Sequence, residues 1–116
     1  MSNGNLADLI RRYQLAAAGY AQAINMGNTV DSNKCFDEVE STFRELKQQG
    51  KPGLEAVSKL LESDNDGVKL WAAAHLLNYP EFNSLPILER LRESSTILAM
   101  TAEVTLDQWR NGQIKY

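Results

Sequence analysis

The sequence predicts an all-α protein of six helices, packed as three antiparallel pairs in a right-handed α-α superhelix. Three observations carry that prediction. Apolar residues recur at helical spacing throughout, and no segment shows the period-two alternation of a strand. Glycine, proline and asparagine fall where helices should stop. The stretch 54–112 reads as one helical hairpin written twice: Leu54, Val57 and Leu60 return as Leu85, Leu88 and Leu91, and Val68, Ala73 and Leu77 return as Ile97, Ala102 and Leu106. A period of roughly 30–45 residues made of two helices marks a stacked-repeat architecture, in which each hairpin buries a face it cannot bury alone.

The elements follow in order. The first helix is expected over 5–26, with Leu6, Leu9, Ile10, Tyr13, Ala17, Tyr20 and Ile24 on one face. Ala16, Ala17, Ala18 and Gly19 are small enough to let another helix come close. Gly27 and Asn28 end it, since both tolerate the left-handed conformation. Asp31 or Ser32 is expected to cap the second helix. Its buried stripe is Phe36, Val39, Phe43 and Leu46, with Asp37, Glu38, Glu45 and Lys47 off the stripe. The run Gln48, Gln49, Gly50, Lys51, Pro52, Gly53 is the clearest break and reads as the turn between two helical pairs.

The third helix is expected over 53–62, with Leu54, Val57, Leu60 and Leu61 inward, and residues 63–67 form a capping turn. The fourth, over 67–78, is apolar nearly all round: Leu70, Ala73, Ala74 and Leu77 form one face, flanked by Val68, Trp71 and His75. A helix without a polar face is covered by neighbours. Pro80 closes it and restricts Tyr79. The fifth helix, over 84–93, carries Pro86 in its first turn, where a missing N–H is harmless. Ser94 and Ser95 are the expected caps of the sixth, which runs to 110 before Gly112. Its faces are Ala99, Ala102, Leu106 and Trp109, and Ile97, Met100 and Val104.

At 116 residues the chain is expected to form one domain, and its 43% apolar content disfavours disorder. Twelve basic against 15 acidic residues leave a formal charge of −3. No excess of cations exists to neutralise phosphates, which disfavours nucleic acid as a partner. Cys35 is the single cysteine, so no intrachain disulfide is possible and a reducing compartment, the cytoplasm by default, is expected. The polar residues 1–5, followed by a helix that carries Arg11 and Arg12 within its apolar pattern, do not resemble a signal peptide. No stretch approaches the ~20 apolar residues of a membrane span.

Asp64, Asn65, Asp66, Gly67, Val68, Lys69, Leu70, Trp71, Ala72 and Ala73 resemble the HEAT-repeat turn, in which an acidic turn leads into valine, a basic residue and paired small residues. The acid complements the positive end of the second helix, and the alanines allow close crossing. Together with Asn33 to Phe36, the run Leu70-Trp71-Ala72-Ala73-Ala74-His75-Leu76-Leu77, Thr105 to Trp109, and Gly112, the chain resembles a family of small bacterial HEAT-like proteins catalogued as a domain of unknown function. That resemblance implies no activity. It implies a context: some members resemble immunity proteins encoded beside toxins of bacterial competition systems.

Candidate chemistry is sparse. His75 is the single histidine, so a metal site lacks convergent ligands, and no metal or cofactor is expected. A Cys35–His75 dyad lacks an oxyanion-forming glycine turn, and no catalytic residue is assigned. A hydrogen-bonded structural role at the core edge is favoured for His75. Asn33 reads as a structural pin, and Trp71 and Trp109 as core. A pocket around Tyr13, Trp71 and His75 is the enzyme or ligand-carrier alternative. Asp37, Glu38 and Glu45 read first as a solvated helix face, or else as an acidic patch matching a basic protein.

The expected binding surface follows from the stack. Second helices of successive pairs line a concave face. In the fourth and sixth helices the positions assigned away from the core are Lys69, Ala72, Leu76 and Tyr79, and Leu98, Thr101, Thr105 and Gln108. Glu38, Ser41, Thr42 and Glu45 join if the second helix lies in the same layer. The partner-binding residues expected from this strip are Glu38, Glu45, Lys69, Tyr79, Thr101, Thr105 and Gln108. The expected partner is a protein, specifically a basic toxin domain, bound by a monomer or weak homodimer. The alternative is a non-catalytic adaptor or homodimeric scaffold.

Overall fold

The computed structural model describes residues 5–114 and 116, and among these six α-helices form and no strand is present. Helix α1 spans Leu6–Asn25 and α2 Thr29–Gln48. Helix α3, Lys51–Lys59, runs on into a 3-10 turn at Leu60–Glu62. Helix α4 is Asp66–His75, and a second 3-10 turn, Pro80–Phe82, leads to α5, Leu85–Arg92, and α6, Leu98–Arg110. The polar residues 1–4, read above for the absence of a signal peptide, lie outside the described residues. No described helix is long and apolar enough to cross a membrane.

Asparagine, not aspartate or serine, caps α1, α2 and α4. Asn5 accepts from the Asp8 N–H at 2.8 Å. Asn28 accepts from the Asp31 N–H at 3.0 Å and its amide donates to the Asp31 carboxylate, so α2 begins sooner than the Asp31 or Ser32 cap predicts. Asn65 accepts from the Val68 N–H at 3.1 Å. Asp66 therefore sits in the first turn of α4, where its charge complements the helix dipole without capping. Ser94 and Ser95 do not cap α6: the Ser94 hydroxyl donates to the Leu91 carbonyl at 2.7 Å, and α6 starts only at Leu98.

Helix α4 is the centre of the molecule. Gly67, Val68 and every residue from Leu70 to Leu77 are buried. Its first turn meets α1 backbone to backbone: a Cβ at Gly67 would lie 2.5 Å from the Ala17 carbonyl oxygen. Gly53 does the same for α3, where a Cβ would reach within 1.8 Å of the Leu46 carbonyl. Helix α1 packs on both α2 and α4, and α5 and α6 both pack on α4. Buried Ser84 pins the start of α5 by donating to the Ala73 carbonyl at 2.9 Å.

Of the second-helix positions matched in the expected repeat, Val68, Ala73, Leu77, Ala102 and Leu106 are buried and Ile97 is not. Leu98 is 2% exposed and Ile97 49%. The buried positions of α6 are thus Leu98, Ala102, Thr105 and Leu106, while α4 is buried continuously from Leu70. Several face assignments are corrected. Ala72, Leu76, Leu98 and Thr105 belong to the interior, whereas Met100 and Val104 face outward with Ile97. Two aromatics also sit nearer the surface than periodicity implies. Phe36 is 38% exposed, with its ring 5.4 Å from that of Trp71 in α4. Trp109 is half-buried and donates its indole N–H to Asn78 at 3.0 Å.

Leu106→Ala removes a fully buried side chain and should cost about 2–5 kcal/mol in denaturant melts, whereas Val104→Ala on the same helix should stay within about 0.5 kcal/mol. Gly67→Ala should destabilise even though alanine is the better helix former by about 1 kcal/mol, because its methyl meets the Ala17 carbonyl. A gain in melting temperature for Gly67→Ala would contradict the α1–α4 contact.

Candidate functional site

The one buried polar cluster of note assembles from three helices and the segment after α6. Tyr13 comes from α1, Glu40 and Phe43 from α2, His75 from the last residue of α4, and Tyr116 from beyond α6. Tyr13 and His75 are fully buried. The Tyr13 hydroxyl lies 2.6 Å from His75 Nδ1, and His75 Nε2 lies 2.6 Å from Glu40 Oε2. Phe43 stacks on the imidazole at 4.2 Å and 3°, and Tyr116 meets it edge-on at 4.5 Å. Tyr116 also hydrogen-bonds Glu40, and its phenol is the donor.

Donor matching settles the protonation pattern. A carboxylate only accepts, so Nε2 carries the proton and donates to Glu40; Nδ1 then accepts from Tyr13. The imidazole is neutral. Burial pushes its pKa below the ordinary value, and the hydrogen bond and charge of Glu40 only partly oppose that. Burial, reinforced by the Glu40 charge, raises Tyr13 well above a normal phenol and raises Tyr116 as well. Every polar atom of the chain Tyr13–His75–Glu40–Tyr116 that needs a partner inside the core has one, which is what makes such burial tolerable.

Tyr13, Trp71 and His75, grouped by the ligand-carrier alternative, are thus neighbours. Trp71 lies 5.8 Å from His75 ring to ring, with Tyr20 edge-on to it at 5.1 Å, and its buried indole N–H has no hydrogen-bond partner among the described residues. The carboxylate of Glu40 and the ring of Tyr116 reach a cleft, and His75 lies behind them. Cys35 stands apart, against Gly19 between α1 and α2. Both His75 nitrogens are engaged elsewhere, so the two do not form a dyad. Among the described residues no three His, Cys, Asp or Glu side chains converge on a metal-sized site.

The expected partner-binding residues do not form one strip. Glu38 and Glu45 turn toward α1 and share Arg12, at 3.3 and 3.8 Å. Lys69 pairs with Asp66 at 3.6 Å, on the side of the α3–α4 turn. Tyr79 is half-buried against the core. Thr101 lies 3.4 Å from the Tyr20 hydroxyl, and Thr105 is buried with its hydroxyl donating to the Thr101 carbonyl at 2.8 Å, which corrects its placement on an open surface. Gln108 alone reaches the cleft beside Tyr116.

Glu40 and Tyr116 escaped the sequence reading. For Glu40 a signal existed: it sits four residues after Phe36 and three before Phe43, inside an apolar stripe, where a lone carboxylate demands a partner. Tyr116 follows Gly112 in a segment without periodicity and carries no such signal. Comparisons with protein-family models, with curated proteins and with solved structures returned no match.

The neutral imidazole makes stability depend on pH. Below about pH 6.5 the unfolded chain takes up a proton that the folded protein refuses, so stability present above that value is lost as pH falls toward the lowered folded pKa. Melting temperature should fall between about pH 7 and 5.5, and His75→Phe should flatten that slope. Glu40→Gln should extend the loss to lower pH, because Glu40 holds the folded pKa up. A wild-type stability that rises on acidification through this window would contradict the neutral assignment.

Proposed function

We propose that this chain is a protein-binding module, and specifically an immunity protein that neutralises a bacterial toxin domain by direct contact. The observation that carries the reading is a surface on which charge and exposed apolar area adjoin. A depression of about 780 Å³ lies between the α3–α4 turn and the Pro80–Phe82 turn. Glu62, Asp64, Asp66 and Glu81 line it against Lys69 and Arg90, and Lys69 is already tied to Asp66. Asp66 also borders a groove that runs to Ile97. From there Ile97, Met100 and Val104 continue along one face of α6, with 49%, 73% and 49% of their surface exposed. Met26 lines the same groove and is itself 72% exposed.

An acidic rim beside an apolar stripe fits a basic protein. The charges steer encounter, and the apolar side chains supply the desolvated contact. The acidic partner surface expected on α2 is thus better served by the inter-helix turns, since Glu38 and Glu45 already hold Arg12. The sequence resemblance supplies the toxin context, and the single cysteine is compatible with a cytoplasmic setting. The HEAT-like stacking belongs to this reading too; the matched burial of α4 and α6 and the packing of α5 and α6 on α4 support it. The exposed stripe of α6 also favours the second reading, a homodimeric scaffold.

The test uses the toxin domain encoded beside the gene, with kinetics of binding and protection of cells as readouts. Glu62→Lys with Glu81→Lys should slow association about tenfold and weaken its salt dependence, and Met100→Arg should speed dissociation at least about tenfold. Glu38→Lys with Glu45→Lys should leave both rates within about twofold, since those carboxylates serve Arg12 and not the partner. Binding that ignores the first two variants places the interface elsewhere. A chain that ignores the toxin but dimerises in sedimentation, and loses the dimer with Met100→Arg, is the scaffold instead.

A further inference from the structure

A second cleft, of about 390 Å³, lies between the C-terminal half of α2 and the segment after α6. Its character is opposite to that of the acidic depression. Phe43, Ile114 and Tyr116 give it an apolar floor, and Arg44, Lys47, Gln108 and Gln113 give it a polar rim. Among the described residues Glu40 is the only side-chain carboxylate that lines it, and that group already accepts from His75 and Tyr116. Arg44 and Lys47 stand three residues apart on one face of α2, and no ion pair engages either among the described residues.

The floor is held in place before any ligand arrives. The Asn78 amide donates to the Ile114 carbonyl at 2.9 Å while accepting from the Trp109 indole. The Gln113 N–H donates to the Gln108 carbonyl at 2.8 Å. Tyr116 is fixed by Glu40 and by its edge contacts with His75 and Phe43. The volume falls at the small end of ligand pockets, about 300–1,000 Å³. Two unpaired cations over an aromatic floor call for an anion with an apolar body.

We propose that this cleft binds a small aromatic carboxylate. The carboxylate sits on the Arg44 guanidinium with Lys47 beside it, the ring lies against Phe43, Ile114 and Tyr116, and the side-chain amides of Gln108 and Gln113 edge the opening. The proposal is independent of the toxin partner, because other residues and the opposite charge carry it.

Sodium phenylacetate is the probe, titrated into the full chain at neutral pH and followed by NMR at the single histidine and at Tyr116. The ring resonances should shift saturably, with a dissociation constant on the order of 1 mM for so small a molecule. Phenylethylammonium, which keeps the ring and reverses the charge, and acetate, which keeps the charge and lacks the ring, should each bind at least about tenfold more weakly. Arg44→Gln with Lys47→Gln should lower phenylacetate affinity at least about tenfold and keep the wild-type melting temperature, since both side chains are exposed. Equal binding of phenylethylammonium, undiminished binding to the double variant, or no saturable shift up to about 20 mM phenylacetate would each overturn the proposal.

Discussion

Four separate parts of the chain converge on the imidazole of His75. Tyr13 brings α1 to it, Glu40 and Phe43 bring α2, and Tyr116 brings the segment that follows α6. Each contact joins elements far apart in sequence, so the cluster ties the ends of the fold to its central helix. The tie holds only while the ring stays neutral and both nitrogens are matched. A single buried donor or acceptor left without a partner would cost about 1–3 kcal/mol, a sizeable part of the stability of a small domain. The placement of His75 at the C-terminus of α4, where a helix dipole favours a cation, makes its neutrality a matter of burial outweighing that dipole.

The central position of α4 decides where function can lie. A helix whose faces are all apolar is covered on every side, so it leaves no bare strip for a partner. Ile114 and Tyr116 complete that cover on the α2 side. What remains for recognition is the periphery: the turns that enter α4 and α5, the outer face of α6, and the cleft beside Tyr116. Turns carry binding residues readily because packing does not dictate their side chains. The acidic turn residues and the exposed stripe of α6 meet at Asp66 and Ile97 for that reason, at the edge of the core and not across it.

Local rules read from residue types made the helices legible. The apolar stripes, the proline and glycine stops and the apolar roundness of 70–77 found all six helices and the centrality of α4. Capping was harder, because serine, aspartate and asparagine compete for the same role, and at Asn28 and Asn65 the amide oxygen held the position. The surface was least legible. The repeat match put Ile97 in the core where Leu98 lies, although Ala102 and Leu106 on the same helix are buried as expected. Glu38 and Glu45 read as open carboxylates because the reach of Arg12 across from α1 leaves no trace in the local pattern. The contacts of Tyr116 with Phe43 and His75 are tertiary and leave no trace in the local pattern.

The protonation state of His75 is the most direct test. Nitrogen-15 NMR of the single imidazole, recorded across the acidic range in the folded protein, reports which nitrogen carries the proton. The structure requires one protonated nitrogen, Nε2, in slow exchange with water, and no titration near the ordinary histidine pKa for as long as the protein stays folded. An imidazole that titrates at about pH 6.5 with free solvent exchange would contradict the buried tie and the fold built around it.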